Sequence, residues 1–220
     1  MQLAKQLLVE GSDDLHAIIH LMRQHTAWSA GQENAPVGVE VRNSKQAILG
    51  RGEISTKLRE SGLQTLGVVV DADVAFAATW DSLRNALAKD FAAVPRDFPA
   101  EGLILGDAER RFGAWIMPDC QSHGMLETFL IRLIPDNQQP LWDHAQQAFT
   151  AARKIGCPCI DAHTAKAELH TWLAWQDPPG RPFGSAVTER MLHPDSPHAV
   201  AFVAWFLKLY GLPKLADALP

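Results

Sequence analysis

The sequence predicts an α/β fold with a mostly parallel central sheet flanked by helices and a helical C-terminal extension. Three observations predict it. Apolar runs such as Leu7-Leu8-Val9 and Leu66-Gly67-Val68-Val69-Val70 are continuous rather than alternating, which is how parallel strands buried on both faces read. Segments of helical periodicity follow those runs, and strands alternating with helices argue for an α/β sheet. The runs also end abruptly in acids: Glu10 and then Asp14 after the first, Asp71-Ala72-Asp73 after the second, and Asp119 after Ala114-Trp115-Ile116-Met117-Pro118. The carboxyl ends of strands are where open α/β sheets place their ligands.

Taken in order, residues 3–9 form the first strand. Residues 13–25 form a helix with Leu15, Ile18, Ile19 and Met22 as its apolar stripe. Ser12 suits the N-cap, and Gly11 gives the backbone freedom for a tight strand-to-helix turn. Gly31 to Pro36 is polar and turn-rich. Val37, Val39 and Val41 alternate on one face of a half-exposed strand. Residues 53–61 make a short amphipathic helix on Ile54 and Leu58, stopped by Gly62. Residues 64–71 are the buried strand that ends at Asp71, and residues 74–90 a longer helix with Phe76, Trp80, Leu83 and Leu87 inward.

Pro95, Pro99 and Gly102 punctuate the next stretch. Leu103-Ile104-Leu105 is a short strand, residues 112–117 another, with Arg110 and Arg111 in the turn between them. A helix runs from Gly124 to about Leu133. Beyond it the pattern is helical over 139–155, 163–176, 184–191 and 197–209, with a rigid Pro-rich loop at Asp177–Pro182. The expected division is an α/β core over residues 1–138 and a helical extension over 139–220 packed on it.

The 220 residues are 47% hydrophobic and 20% charged, ordinary for a globular protein with a substantial core. The net charge of −5 argues against broad, charge-driven binding to a nucleic-acid backbone, though it leaves room for a local basic rim or a metal-bridged phosphate contact. No apolar stretch approaches the roughly 20 residues needed to span a bilayer. The N-terminus has no basic start with an apolar signal core, so a cytoplasmic location is the default expectation. Cys120, Cys157 and Cys159 are too few and too odd in number for a disulfide framework.

Carboxylates gathered at several strand ends would repel one another, and a hard divalent cation with oxygen ligands offsets that repulsion most simply. Glu10 and Asp14 are four apart, and Asp71 and Asp73 straddle one strand end. A single acid at such a place reads equally as a helix cap or a charge favoured by the helix dipole. The repeated device in one domain favours a shared ion. Other motifs carry less. Cys157-Pro158-Cys159 lacks the second pair of a zinc site, and His16 and His20 lack the H-E-x-x-H pattern. His123 reads as a solvated loop residue or a phosphate contact. Trp80, Trp172, Trp175 and Trp205 fall on apolar helix faces, which favours core packing over base stacking. Arg110, Arg111 and Arg181 are the nearest candidates for phosphate anchors.

Val9-Glu10-Gly11-x-x-Asp14 followed by Val70-Asp71-Ala72-Asp73 resembles the TOPRIM domain of topoisomerases, bacterial primases, recombination proteins and OLD-type nucleases. The closer likeness is to the OLD-type branch, where an acid also stands four residues after the glutamate, and to small stand-alone TOPRIM-like proteins. Ile116-Met117-Pro118-Asp119 with Gly124-Met125-Leu126-Glu127 resembles the later acidic motif of that stand-alone group. Leu169 to Trp175 and Pro179 to Gly184 are similar to its C-terminal stretch more weakly. The resemblance implies a Mg²⁺- or Mn²⁺-dependent phosphodiester site on DNA or RNA. Glu10 would be a metal ligand or general acid/base, Asp71 and Asp73 would hold a metal, and Asp119 and Glu127 would complete a second metal site, with Asp14 beside them. Lys166 answers to the lysine that OLD-type nucleases use after their acidic motifs. The ATPase domain of full OLD proteins is absent from the chain, so it is expected to act alone, as a homo-oligomer, or with a separate ATPase or defence-system partner. Two alternatives stay open: a non-catalytic binding or regulatory module, and phosphohydrolysis of a small nucleotide.

Overall fold

Five strands form one sheet in the computed structural model, which describes residues 4–28, 35–107 and 109–215. They are β1 (Lys5–Val9), β2 (Gly38–Val41), β3 (Thr65–Asp71), β4 (Leu103–Gly106) and β5 (Arg111–Met117). Their order across the sheet is β2-β1-β3-β5-β4, parallel throughout except for the antiparallel edge pair β4–β5. Most of the turn expected over Gly31 to Pro36 and the first residue of the expected opening strand, Leu3, lie outside the described residues.

Side-chain alternation along the strands builds two cores. Leu7, Val9, Val69, Trp115 and Met117 face one way, onto α1 (Ser12–Arg23) and the later helices α5 (Leu126–Ile131), α6 (Gln139–Lys154), α7 (Thr164–Leu173), α8 (Phe183–Thr188) and α9 (Pro197–Tyr210). Leu8, Leu66, Val68, Val70, Phe112, Ala114 and Ile116 face the other, onto α2 (Lys45–Leu49), α3 (Glu53–Leu58) and α4 (Phe76–Leu87). The molecule is therefore a three-layer α/β/α arrangement. β1 and β3 are neighbours, yet α1 and α4 after them lie on opposite faces. The crevice between their carboxyl ends is thus a topological switch point.

α9 is the central helix of its face. Ser196 caps it by accepting a hydrogen bond from the Ala199 N–H (3.2 Å), and Gly211 ends it at φ 58°. Gly67 and Gly113 sit directly opposite one another on β3 and β5. A Cβ at Gly67 would come 2.2 Å from Tyr210 Oη, and one at Gly113 2.5 Å from Leu209 Cδ2. The paired glycines therefore make a flat trough into which α9 settles. The Tyr210 hydroxyl donates to the Gln6 carbonyl (2.7 Å) and the Trp205 indole N–H to the Leu103 carbonyl (3.1 Å), so both buried polar tips are paired.

Several expectations shift. A helix not expected from the sequence, α2, forms between β2 and α3, capped by Ser44, whose hydroxyl accepts from the Ala47 N–H (3.1 Å). The helix expected over 74–90 is shorter at both ends. The N-cap of α1 is Gly11 rather than Ser12. Gly11 is extended (φ −136°), so its value lies in space: a Cβ there would press on Asp14 Oδ2 at 3.2 Å. Trp80, Trp172 and Trp205 are buried, whereas Trp175 is 42% exposed and lies against His144 rather than in the core.

Candidate functional site

Glu10 follows the last residue of β1, and its Oε1 accepts the N–H of Asp71 on the next strand (2.9 Å). Asp71 Oδ1 in turn accepts the Leu126 N–H at the start of α5 (3.0 Å). Asp14 curls back within the first turn of α1 to accept the Gly11 N–H (3.0 Å). Backbone groups thus fix three carboxylates at the mouth of the crevice. Asp73 is held by the turn after β3. It adopts a left-handed conformation (φ 52°), which Asp tolerates better than most residues, and exchanges backbone hydrogen bonds with Gly124 (2.8 and 2.7 Å). That bridge brings the loop before α5, and with it Glu127, to the end of β3.

These side chains are close enough for their charges to act on one another. Burial pushes the Asp71 carboxyl up to about 9, with the charges of Asp14, Glu10, Glu127 and Asp73 adding to the shift. Burial likewise raises Asp14 to about 7, and Glu10 and Glu127 push the same way against the Gly11 N–H. Burial also raises Glu10, Asp73 adding to it, with the Asp71 N–H and Lys45 in opposition. Desolvation plus like charge is the pattern of carboxylates gathered without enough positive charge among them, and such groups cluster at functional sites.

Two lysines border the cluster. Lys166, on α7, lies 2.8 Å from Asp13 Oδ2 and 3.4 Å from Glu127 Oε1, with its ammonium 6.0 Å from the Phe183 ring centroid. Lys45, at the first position of α2, lies 2.5 Å from Asp73 Oδ2 and 3.2 Å from Thr79 Oγ1. One turn beyond Lys166, His170 stacks on Phe183 at 4.9 Å; burial lowers its pKa, with Lys166 adding to the shift. Lys45, Thr79 and Asp13 did not stand out in the sequence as site residues, and His170 did so only as part of the stretch from Leu169 to Trp175. The signal for Lys45 was Ser44, a helix cap ahead of a short apolar run.

Of the sequence-predicted site residues, Glu10, Asp14, Asp71, Asp73 and Glu127 come together, and Lys166 reaches them. Asp119 does not join. Its Oδ2 pairs with Arg132 (2.5 Å) and with the Ser122 hydroxyl (3.0 Å), and its Oδ1 accepts from the N–H groups of Ser122 (2.7 Å) and Gln121 (3.1 Å). Burial alone would raise its pKa, but the Arg132 guanidinium and the Ser122 hydrogen bonds hold it down at about 2. The expectation of Asp119 as a metal ligand gives way to a local turn. Nor are two of the expected phosphate anchors open. Arg111 points at the carbonyls of Lys208 and Leu209 at the end of α9, and Arg181 pairs with Glu189.

The donor set of Glu10, Asp14, Asp71, Asp73 and Glu127 is all carboxylate oxygen, which fits a hard divalent cation such as Mg²⁺ or Mn²⁺. As they stand, no three His, Cys, Asp or Glu side chains among the described residues converge closely enough to hold one ion. Backbone N–H groups hold Glu10, Asp14 and Asp71, and lysines pair with Asp73 and Glu127. Among the described residues no helix is long and apolar enough to cross a membrane.

No curated protein and no solved structure matches the chain. The family described as "Protein of unknown function (DUF3226)" matches residues 4–211, nearly the whole sequence. The chain belongs to that family.

Proposed function

We propose that the protein is a TOPRIM-like, Mg²⁺- or Mn²⁺-dependent phosphodiester enzyme, a nuclease acting on DNA or RNA. One observation carries this: carboxylates from β1, α1, β3 and α5 meet at the switch point of the sheet, where burial and mutual repulsion raise the pKa of Glu10, Asp14 and Asp71. Glu10, Asp71 and Asp73 would hold the metal, with Asp14 and Glu127 completing the set. A bound divalent cation would supply positive charge against phosphoryl oxygens and an activated water. Burial raises the pKa of Glu10, which would make it a stronger base than an exposed carboxylate. Lys166 and Lys45 place ammonium groups on two sides of the cluster, where a phosphate would replace Asp13 or Asp73 as their partner.

The test is a nuclease assay with Mn²⁺ over a panel of single- and double-stranded DNA and RNA, comparing wild type with Asp71→Ala. The expected result is cleavage by wild type and a loss of at least about 100-fold in the variant, the scale of removing a group that acts on transition-state charge. Equal rates in both, or no cleavage of any substrate, contradict the proposal. A second reading, a non-catalytic binding module, is favoured by one feature: Asp73 and Glu127 already have lysine partners. Metal binding without nucleic-acid binding or turnover would select it.

A further inference from the structure

A cleft of about 740 Å³ opens between α2, α3 and α4, on the sheet face away from α9. Its lining carries Lys45, Arg51, Arg59 and Lys89 and no carboxylate, in a chain whose net charge is −5. Ser82 and Asn85 add neutral hydrogen-bonding groups. Acids on the neighbouring turns are already engaged: Glu53 by Arg42 (2.8 Å), Asp81 by Arg84 (3.1 Å), and Asp90 by the Ser55 hydroxyl, with Arg59 3.9 Å away. Arg51 and Lys89 are exposed and form no ion pair among the described residues. Lys45 belongs to the cleft and to the carboxylate site at once, since its ammonium reaches Asp73 and Thr79. Thr79, which Lys45 reaches, and Leu87, the last residue of α4 and two before Lys89, lie about 12 Å apart along the helix at its 1.5 Å rise. That span is longer than one phosphate group.

We propose that this cleft binds the phosphate backbone of a single nucleic-acid strand and leads it past Lys45 to the carboxylates. The proposal deepens the nuclease function and rests on it only for what happens at the far end of the strand. Cationic grooves that follow a backbone hold single strands without reading sequence. With a net charge of −5, the affinity is expected to depend on these few side chains rather than on the whole surface.

The experiment measures binding of a fluorescent 20-nucleotide single strand by anisotropy, in EDTA so that turnover plays no part. Wild type is compared with Arg51→Glu/Lys89→Glu and with Lys154→Glu/Lys208→Glu, which makes the same charge change at exposed sites on the opposite side. Thermal melts check that each variant is folded. The cleft variant is expected to lose at least 10-fold in affinity and to show a shallower dependence on salt, by roughly 1.4 in log–log slope for two lost phosphate contacts. The control is expected to change by less than 2-fold. Equal losses in both variants, or no binding by wild type, overturn the proposal. So does displacement of the strand by an equimolar mononucleotide, which would make the cleft a nucleotide pocket. Because the Asp71→Ala assay reads turnover and this one reads binding without metal, either can fail while the other holds.

Discussion

Asp71 is the residue on which the site turns. It closes β3, accepts a backbone N–H from α5, and sits within reach of four other carboxylates. Its pKa of about 9 and that of Asp14, about 7, have a consequence for stability. Both lie above the ordinary carboxylate value, so between about pH 4 and pH 9 the folded chain keeps protons that the unfolded chain has released. Stability then falls as pH rises through that window, by up to about 1.4 kcal/mol per pH unit for each proton so held. Urea melts in EDTA should therefore show the wild type less stable at pH 8 than at pH 5. Asp71→Asn keeps an oxygen for the Leu126 N–H and needs no proton taken up on folding, so at pH 8 it should be the more stable protein, by on the order of 1–3 kcal/mol. A wild type that gains stability over the same pH range would show that these carboxylates are not strained by proximity. The acids themselves were legible in the sequence because each ends an apolar run. Asp119 ends a run as well, yet Ser122 and Gln121 stand close enough in sequence to satisfy it locally, and nothing in the pattern separates that case from Asp71.

At the level of elements, the site depends on how the strands are held in register. Glu10 can meet the Asp71 N–H only because β1 and β3 are paired from Lys5–Thr65 to Leu8–Val68. The trough made by Gly67 and Gly113 fixes α9 against those strands. Gly113→Ala would drive a methyl group into Leu209 at 2.5 Å, in a strand with no room to move. Overpacking of that kind costs about 1–3 kcal/mol, and a lower urea midpoint with an unchanged slope would report it. An unchanged midpoint would mean that α9 lies less firmly on the sheet than these distances indicate. The buried strands and longer helices were legible from hydrophobic periodicity. α2 was not: its five residues, Lys45 to Leu49, are too few to show a period, and its formation rests on the Ser44 cap and on burying Ile48 and Leu49. Missing α2 meant missing Lys45, the cation that joins the carboxylates to the basic cleft.

Across the whole molecule, the two halves of the chain contribute to one centre. The carboxylates come from the first 127 residues, while Lys166 and His170 arrive on α7. Trp205, Phe202 and Tyr210 belong to the same apolar cluster as β1, β3 and β5. The charge distribution is as divided as the topology is joined: an acidic mouth at the switch point, and a basic cleft beside it on the face of α2, α3 and α4. Sequence composition gave the net charge of −5 but not this separation, because Arg51, Arg59 and Lys89 are scattered along the chain and meet only through the packing of three helices. In the proposed function the clustered carboxylates take up a divalent cation. Anomalous diffraction from crystals soaked in Mn²⁺ tests it most directly. A peak is expected beside Asp71, within coordination distance of Glu10 or Asp73, and is expected to be absent from Asp71→Asn crystals treated alike. A saturating soak with no peak at the switch point, or one that persists there in the variant, would contradict it.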